Sequence, residues 1–310
     1  MSASARNPGG SRLALAAPYL WLAFFFLAPF LIVLKISLSH DVIAQPPYEP
    51  VLDLAKGWQG IHDFFAGLGL QNYLYVLGDE IFLESGLQSV VIAAVSTAII
   101  LAIGYPIAYG MARAPLAIRP LLLMAVILPF WTSFLIRVYA WMGILAREGF
   151  LNQALRAAGL IDEPFEILST NTAVYIGIVY SYLPFMVLPL YATLERMDDT
   201  LLEAAADLGA PPWKSFWLVT FPLSLPGVIA GSLLCFIPAV GEFVIPDLLG
   251  GSDTLMLGKQ LWTEFSVNRS WTVSSAVAVL MLVVLAGPIL VFQNVQARAF
   301  ERGGRGCAAD

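Results

Sequence analysis

Residues 200–222 read TLLEAAADLGAPPWKSFWLVTFP, a polar hinge between two long apolar runs at 172–194 and 223–245. The local structure of this hinge follows from its residues. Thr200 with Glu203 three positions on has the spacing of a capping box, so a helix is expected to begin at Thr200. The alanines and leucines then favour helix. Gly209 supplies a left-handed residue to end it, and Pro211-Pro212 stop its continuation. A second short helix is expected from Pro212 or Trp213 to Phe221, just before Pro222. On the first helix Leu201, Ala205 and Leu208 share a face, while three successive alanines leave a low surface for another protein.

The runs on either side of the hinge set the class of protein. A spanning helix needs about 20 apolar residues. Six runs qualify: Leu13–Leu34, Leu87–Met111, Pro120–Ile136, Thr172–Leu194, Leu223–Ile245 and Trp271–Val291, the third at the lower limit. Hydrophobic residues make up 59% of the 310, charged residues 12% and net charge is −6, with a mean hydropathy of +0.78. Charge is too scarce to cover soluble cores of this size. An all-α polytopic membrane protein of six transmembrane helices is therefore expected. Its first run is too long for a signal peptide, and Lys35-Ile36-Ser37-Leu38 offers no cleavage site, so it reads as a retained anchor.

Charge orients the bundle. Arg6, Arg12, Arg113, Arg119, Arg196, Lys214, Arg298, Arg302 and Arg305 fall on one side, which the positive-inside rule makes the cytoplasm. The opposite loop, about 38–86, holds Asp41, Glu49, Asp53, Asp63, Asp79, Glu80 and Glu84 against Lys56. This divides the chain into a cytoplasmic tail at 1–12, a six-helix transmembrane bundle at 13–294 and a second cytoplasmic tail at 295–310, with residues after Gly303 expected to be disordered. The outer loop is polar and proline-bearing, suited to packing on the bundle or meeting a partner.

The same composition excludes several classes. Scattered basic residues and a negative net charge do not suit nucleic acid. Cys235 and Cys307 make no disulfide framework, and His40 and His62 lie outside the runs and form no metal set. Gly258-Lys259 lacks the rest of a phosphate loop, so no ATP site or other cofactor is expected. A secondary transporter would place charged pairs in several spans, and a membrane hydrolase would need Ser/His or metal ligands there.

Here the sequence resembles a family. Glu203-Ala204-Ala205, then Gly209, then Val219-Thr220-Phe221-Pro222 fits the EAA signature of ATP-binding cassette (ABC) importer permeases, E-A-A-x3-G-x9-I-x-L-P, with Val219 for Ile and Phe221 for Leu. The segments 128–133, 137–141 and 237–251 are similar to putrescine/spermidine importer permeases, nearest the putrescine type. The resemblance implies a type I importer permease whose loop at about 195–222 is a coupling helix. Glu203, Ala204, Ala205, Asp207, Gly209 and Ala210 would then face a separate ATPase dimer. It also implies a second permease, a periplasmic or extracellular substrate-binding protein and an inner-membrane location with both termini inside. The chain itself would be a transporter subunit and no enzyme; another small solute is the alternative cargo.

For a cationic cargo, Glu242 near the outer end of the fifth run is the candidate counter-charge, with a structural partner on another helix as the competing role. Phe130, Trp131 and Tyr139 offer ring faces to an ammonium, against a competing role as an interfacial belt. Asp247 belongs at the outer mouth. Arg137 reads as a charge that ends the third span, and Pro129, Pro184, Pro226 and Pro238 as interruptions of their spans.

Overall fold

The computed structural model describes residues 16 and 18–306, with backbone alone for 54 and 291–306. Arg6, Arg12, the first residues of the Leu13–Leu34 run and Cys307 lie outside the described residues. Among the described residues, five helices are long and apolar enough to span a membrane, and a sixth span is made when one sharply bent helix pair is counted as one.

The chain divides into two compact units. The first takes residues up to Glu80 together with Leu261–Leu280. It contains α1 (Pro18–Ser37), then an antiparallel pair, β1 (His40–Asp41) and β2 (Tyr48–Glu49), with His40 opposite Glu49. Two short helices follow, α2 (Gly57–Ala66) and α3 (Gln71–Gly78). The expected outer loop is thus largely folded. Side-chain hydrogen bonds tie it down: the Asn72 amide donates to the carbonyls of Ser37 and Ser39 at 2.8 and 2.7 Å, and the Ser270 hydroxyl donates to Asp41 at 2.5 Å. An open cavity of about 580 Å³ lies here, lined by Glu49, Asp53, Asp63, Lys56 and Phe64 among others.

The second unit, Ile81–Gln260 with Met281–Asp310, holds most of the bundle. The helix α4 (Glu80–Arg113) feeds it from the end of the outer segment and starts well before the expected Leu87. Next come α5 (Arg119–Ile127), a 3-10 turn at Leu128–Trp131, α6 (Phe134–Leu145) and α7 (Phe150–Ala157). The third run is therefore not one straight helix over Pro120–Ile136. Arg119–Trp131 and Phe134–Ala157 meet at 88°. Pro129 brings no N–H to the helix ladder, and the Thr132 hydroxyl takes the Pro129 carbonyl at 2.9 Å, so the chain turns extended at Thr132. Arg137 consequently sits in the first turn of α6 and ends nothing.

The helices α8 (Asn171–Glu195) and α10 (Pro212–Val240) pack along one another and carry much of the core, including Ile178, Met186, Leu190, Val228 and Cys235. Their crossing is close because α10 presents Gly227 and Gly231. A Cβ on Gly227 would stand 3.0 Å from the Pro189 carbonyl oxygen, and one on Gly231 would stand 3.1 Å from that of Met186. Small residues four apart let helices approach in lipid, where van der Waals packing drives association. Pro184 and Pro189 in α8, and Pro226 and Pro238 in α10, lie within continuous helices and interrupt neither.

Two further boundaries differ from expectation. The second helix of the hinge does not stop before Pro222. A π turn at Phe216–Thr220, in which the Phe221 N–H reaches the Phe216 carbonyl, widens the helix and carries it into the span. At the other end α10 stops at Gly241, so Glu242 lies beyond the span, in the break before α11 (Val244–Leu248). After α12 (Leu257–Ser266), α13 runs from Trp271 to Gly306, so residues 304–306 are helical and not a loose tail.

Candidate functional site

The hinge folds as helix, corner, helix. The first helix, α9, spans Thr200–Asp207. The capping box does not form, although the helix begins where that reading put it. The Asp198 carboxylate instead accepts the Thr200 N–H at 3.0 Å, and this bond holds the Asp198 carboxyl below its ordinary aspartate range. The corner is a Schellman motif. Ala210 N–H donates to the Ala205 carbonyl at 3.0 Å and Gly209 N–H to Ala206 at 2.8 Å, with Gly209 at φ +77°. No atom lies within 4 Å of a Cβ added at Gly209, so backbone conformation alone demands glycine there.

The face shared by Leu201 and Leu208 is an outward one. Leu201 and Leu208 are 45% and 89% exposed, so their shared face does not pack inward. Glu203, Ala204, Asp207 and Gly209 are also exposed, while Ala205 and Ala210 are half-buried. Leu202, Ala206 and Ala210 border a cavity of about 260 Å³ together with Tyr109, Pro212 and Phe216. Two basic residues of the 113–119 connection hold the hinge at its start. Arg113 pairs with Asp199, and Arg119 with Glu195 at 3.5 Å, while Tyr191 donates to the same Glu195 at 2.6 Å. Such exposed pairs contribute under about 1 kcal/mol each, so they steer the hinge more than they stabilise it.

The second group of predicted residues lies in the bundle. Glu242 is 7% exposed. Tyr182 on α8 donates to its Oε2 at 2.5 Å, and the amides of Val244 and Ile245 reach its Oε1 at 3.0 and 3.4 Å. The carboxylate thus caps α11 and binds α8 to the break; its other surroundings are as tight, since a Cβ on Gly258 would meet the Glu242 carbonyl oxygen at 2.5 Å. From Tyr182 the contact runs on through rings, to Phe185 at 6.0 Å and from Phe185 edge-on to Phe130 at 5.1 Å. On Phe130 lies the Arg137 guanidinium, 5.1 Å from the ring centre, with Phe134 beneath it at 5.7 Å.

Glu242 and Phe130 therefore belong to one connected wall, and Phe130 already carries a cation from its own chain. Trp131 and Tyr139 stand 72% and 55% exposed, and Asp247 is exposed in the first turn of α11. Trp141 packs its ring on Tyr180 at 5.4 Å. Sequence reasoning missed Tyr182 and Phe185, because nothing in a tyrosine within an apolar run marks what its hydroxyl meets. It also passed over the Gly227/Gly231 spacing, which was legible.

Five or six apolar spans among the described residues, a broken third span and a hinge of helix and corner have the fold of a type I ABC importer permease. The fold agrees with solved permeases. A chain of the bacterial alginate ABC transporter, in complex with its alginate pentasaccharide-bound periplasmic protein, superposes at a TM-score of 0.68 over 93% of this chain and 94% of its own, at 14% identity. A chain of the inward-facing methionine transporter MetNI gives 0.51 over 69% and 93%, at 17% identity. Residues 104–302 match the family described as Binding-protein-dependent transport system inner membrane component, and the chain belongs to that family. It is similar to the spermidine/putrescine transport system permease protein PotB of Haemophilus influenzae, 39% identical over 91% of this chain and 92% of that protein. The Escherichia coli PotB is 42% identical over 72% and 81%. The chain is thus a multi-pass membrane subunit of a bacterial ABC importer, a permease and not an enzyme.

Proposed function

We propose that the chain forms one half of the membrane path of an ATP-driven polyamine importer, with putrescine as its cargo. The observation that carries this reading is the likeness, over nine-tenths of the chain, to a permease named for spermidine and putrescine transport. The hinge supports the ATP-driven part: its EAA spacing folds as an exposed helix closed by Gly209. In this reading Glu203, Ala204, Ala205, Asp207, Gly209 and Ala210 meet a cytoplasmic ATPase of a dimer, and the exposed Leu201 and Leu208 add apolar contact.

A single hinge serves one ATPase subunit, so the complete importer contains a second permease of the same type. A binding protein delivers cargo to the outer side, where the acidic 38–86 segment lies. Both tails, 1–12 and 295–310, are cytoplasmic and 13–294 is the transmembrane body. ATP-driven closure of the ATPase pair moves residues 200–221, and α10 transmits that motion because the second half of the hinge and the span are one helix. The ammonium groups of the cargo pass Trp131, Tyr139 and Asp247, with Phe130 in the wall behind. Glu242 adds a negative potential from within that wall, its charge held by Tyr182 and two amides. Weak, distributed attraction suits a path better than one tight site, which would retain the cargo.

The test is uptake of labelled putrescine and spermidine into cells lacking other polyamine importers. The chain is supplied with its sister permease, ATPase and binding protein. ATP-dependent, saturable uptake with putrescine preferred is expected. Uptake of spermidine alone would overturn the assignment of cargo within the class, and uptake of neither would overturn the polyamine reading.

A further inference from the structure

We propose that the π turn at Phe216–Thr220 is a joint within α10, which switches between this widened register and an ordinary α-helical one as the hinge is driven. The inference rests on the reading above that a cytoplasmic ATPase drives that hinge.

The first observation is a hydroxyl without a partner. Thr220 is 1% exposed, and its Oγ1 meets no donor or acceptor among the described residues. A buried hydroxyl left this way loses its hydration and gains nothing in exchange. Elsewhere in the bundle threonines bond back along their own helices. Thr97 donates to the Ala93 carbonyl at 2.7 Å and Thr193 to that of Pro189 at 2.8 Å, each four residues back. The carbonyl four residues before Thr220 belongs to Phe216, and it accepts from Phe221, five residues on. A π turn holds one residue more per hydrogen-bonded ring than an α turn, so Thr220 is carried past that carbonyl. The α-helical register restores the missing acceptor, with the Thr220 hydroxyl then donating to Phe216.

The second observation is room for the change. The cavity of about 260 Å³ lies against the turn, with Ser215, Phe216 and Thr220 on one side and Tyr109, Leu202 and Ala206 around it. Changing register by one residue turns one end of a helix against the other by about 100° and advances it by about 1.5 Å. A close-packed surround would resist that movement. The cavity lets Phe216 leave its edge-on contacts with Tyr105 and Tyr109, which stand at 5.5 and 6.0 Å. The two ends of α10 also differ in freedom. Beyond the turn, Gly227 and Gly231 hold the span against α8 with no space for a Cβ. Before it, Pro212, Trp213 and Lys214 are exposed, and residues 208–211 lie outside both α9 and α10, where the shift is absorbed. The hinge end therefore turns while the span end stays, and an ATPase stroke reaches the bundle as a rotation about α10.

The experiment measures the helix against itself. With Cys307 replaced by Ser, spin labels are attached to cysteines at Trp213 and Leu234, positions 69% and 50% exposed on either side of the turn. Their separation is read in the importer with its sister permease, ATPase and loaded binding protein, at rest and trapped with ATP and vanadate. A helix that moves as one piece keeps this distance, whereas a change of register shifts it by about 2 Å or more. Thr220→Val keeps the shape of the side chain and deletes its hydroxyl; Thr220→Ser keeps the hydroxyl. With valine the shift is expected to vanish and uptake to fall at least fivefold at unchanged membrane abundance, while serine should retain both. An unchanged distance in a wild-type complex whose hydrolysis is accelerated by loaded binding protein overturns the joint. Full uptake by Thr220→Val, or a shift undiminished in it, does the same. If loaded binding protein accelerates no hydrolysis in the wild-type complex, the ATP-driven reading fails and the joint fails with it.

Discussion

At the scale of single residues, Glu242 and Tyr182 show how one side chain can carry two duties. The carboxylate is saturated by a phenol and two backbone amides, which makes it a brace between α8 and α11 whatever else its charge does. Glu242→Ala leaves one buried hydroxyl and two amides without an acceptor, at about 1–3 kcal/mol each; we expect the protein to be lost from the membrane or to melt well below wild type in detergent. Glu242→Gln separates brace from charge. Its amide oxygen still accepts from Val244 and Ile245, and its NH2 can donate to the Tyr182 oxygen. Assembly with the ATPase and basal hydrolysis should survive, while the cargo concentration for half-maximal uptake rises, or the maximal rate falls, several-fold. Unchanged uptake in Glu242→Gln and in Trp131→Ala would place the cation path on the sister permease. Of this site the sequence showed the acid, because a charge among apolar residues stands out. It could not show the phenol 60 positions away that meets it, since hydroxyl partners in lipid are chosen by helix crossing.

Among the elements, the hinge was the most legible, and its departures are informative. Helix start, glycine corner and restart at Pro212 all appear where propensity and capping place them. The capping group differs because Asp198 reaches the Thr200 amide first. The run through Pro222 follows from the π turn, a register change that tertiary packing on Tyr105 and Tyr109 supports, their rings 5.5 and 6.0 Å from Phe216. Two substitutions test the hinge. Gly209→Val forces a β-branched residue to φ +77°, a strain of about 1–3 kcal/mol concentrated at one corner. Glu203→Lys reverses an exposed charge on the outward side of α9. Each variant should remain in the membrane and lose most transport, with the ATPase no longer responding to loaded binding protein. Normal coupling in both would reduce this hinge to a surface helix.

For the whole molecule, the prediction concerns sidedness. With Cys307 replaced by Ser, single cysteines at the exposed Ala55, at Ala210 and at Gly304 can be challenged in intact cells with an impermeant thiol reagent. Ala55→Cys should label, whereas Ala210→Cys and Gly304→Cys should label only after permeabilisation. The reverse pattern would invert the topology and move the hinge away from any cytoplasmic ATPase. Native Cys235 is buried and does not interfere.

Apolar length and the placement of arginine determined, from the sequence alone, that this chain is a multi-span membrane protein and which of its loops is basic. These are properties of single segments, since each must satisfy its own backbone hydrogen bonds and its own transfer into lipid. The spacing of the hinge was equally local. Tertiary structure alone decided that Glu242 lies outside the fifth helix and is gripped by Tyr182, and that Phe130 meets Phe185 edge-on. Each depends on which helix lies beside which. In a membrane most residues are apolar on every face, so hydropathy carries little trace of neighbours; close crossings at small residues and the pairing of a few polar atoms settle them instead.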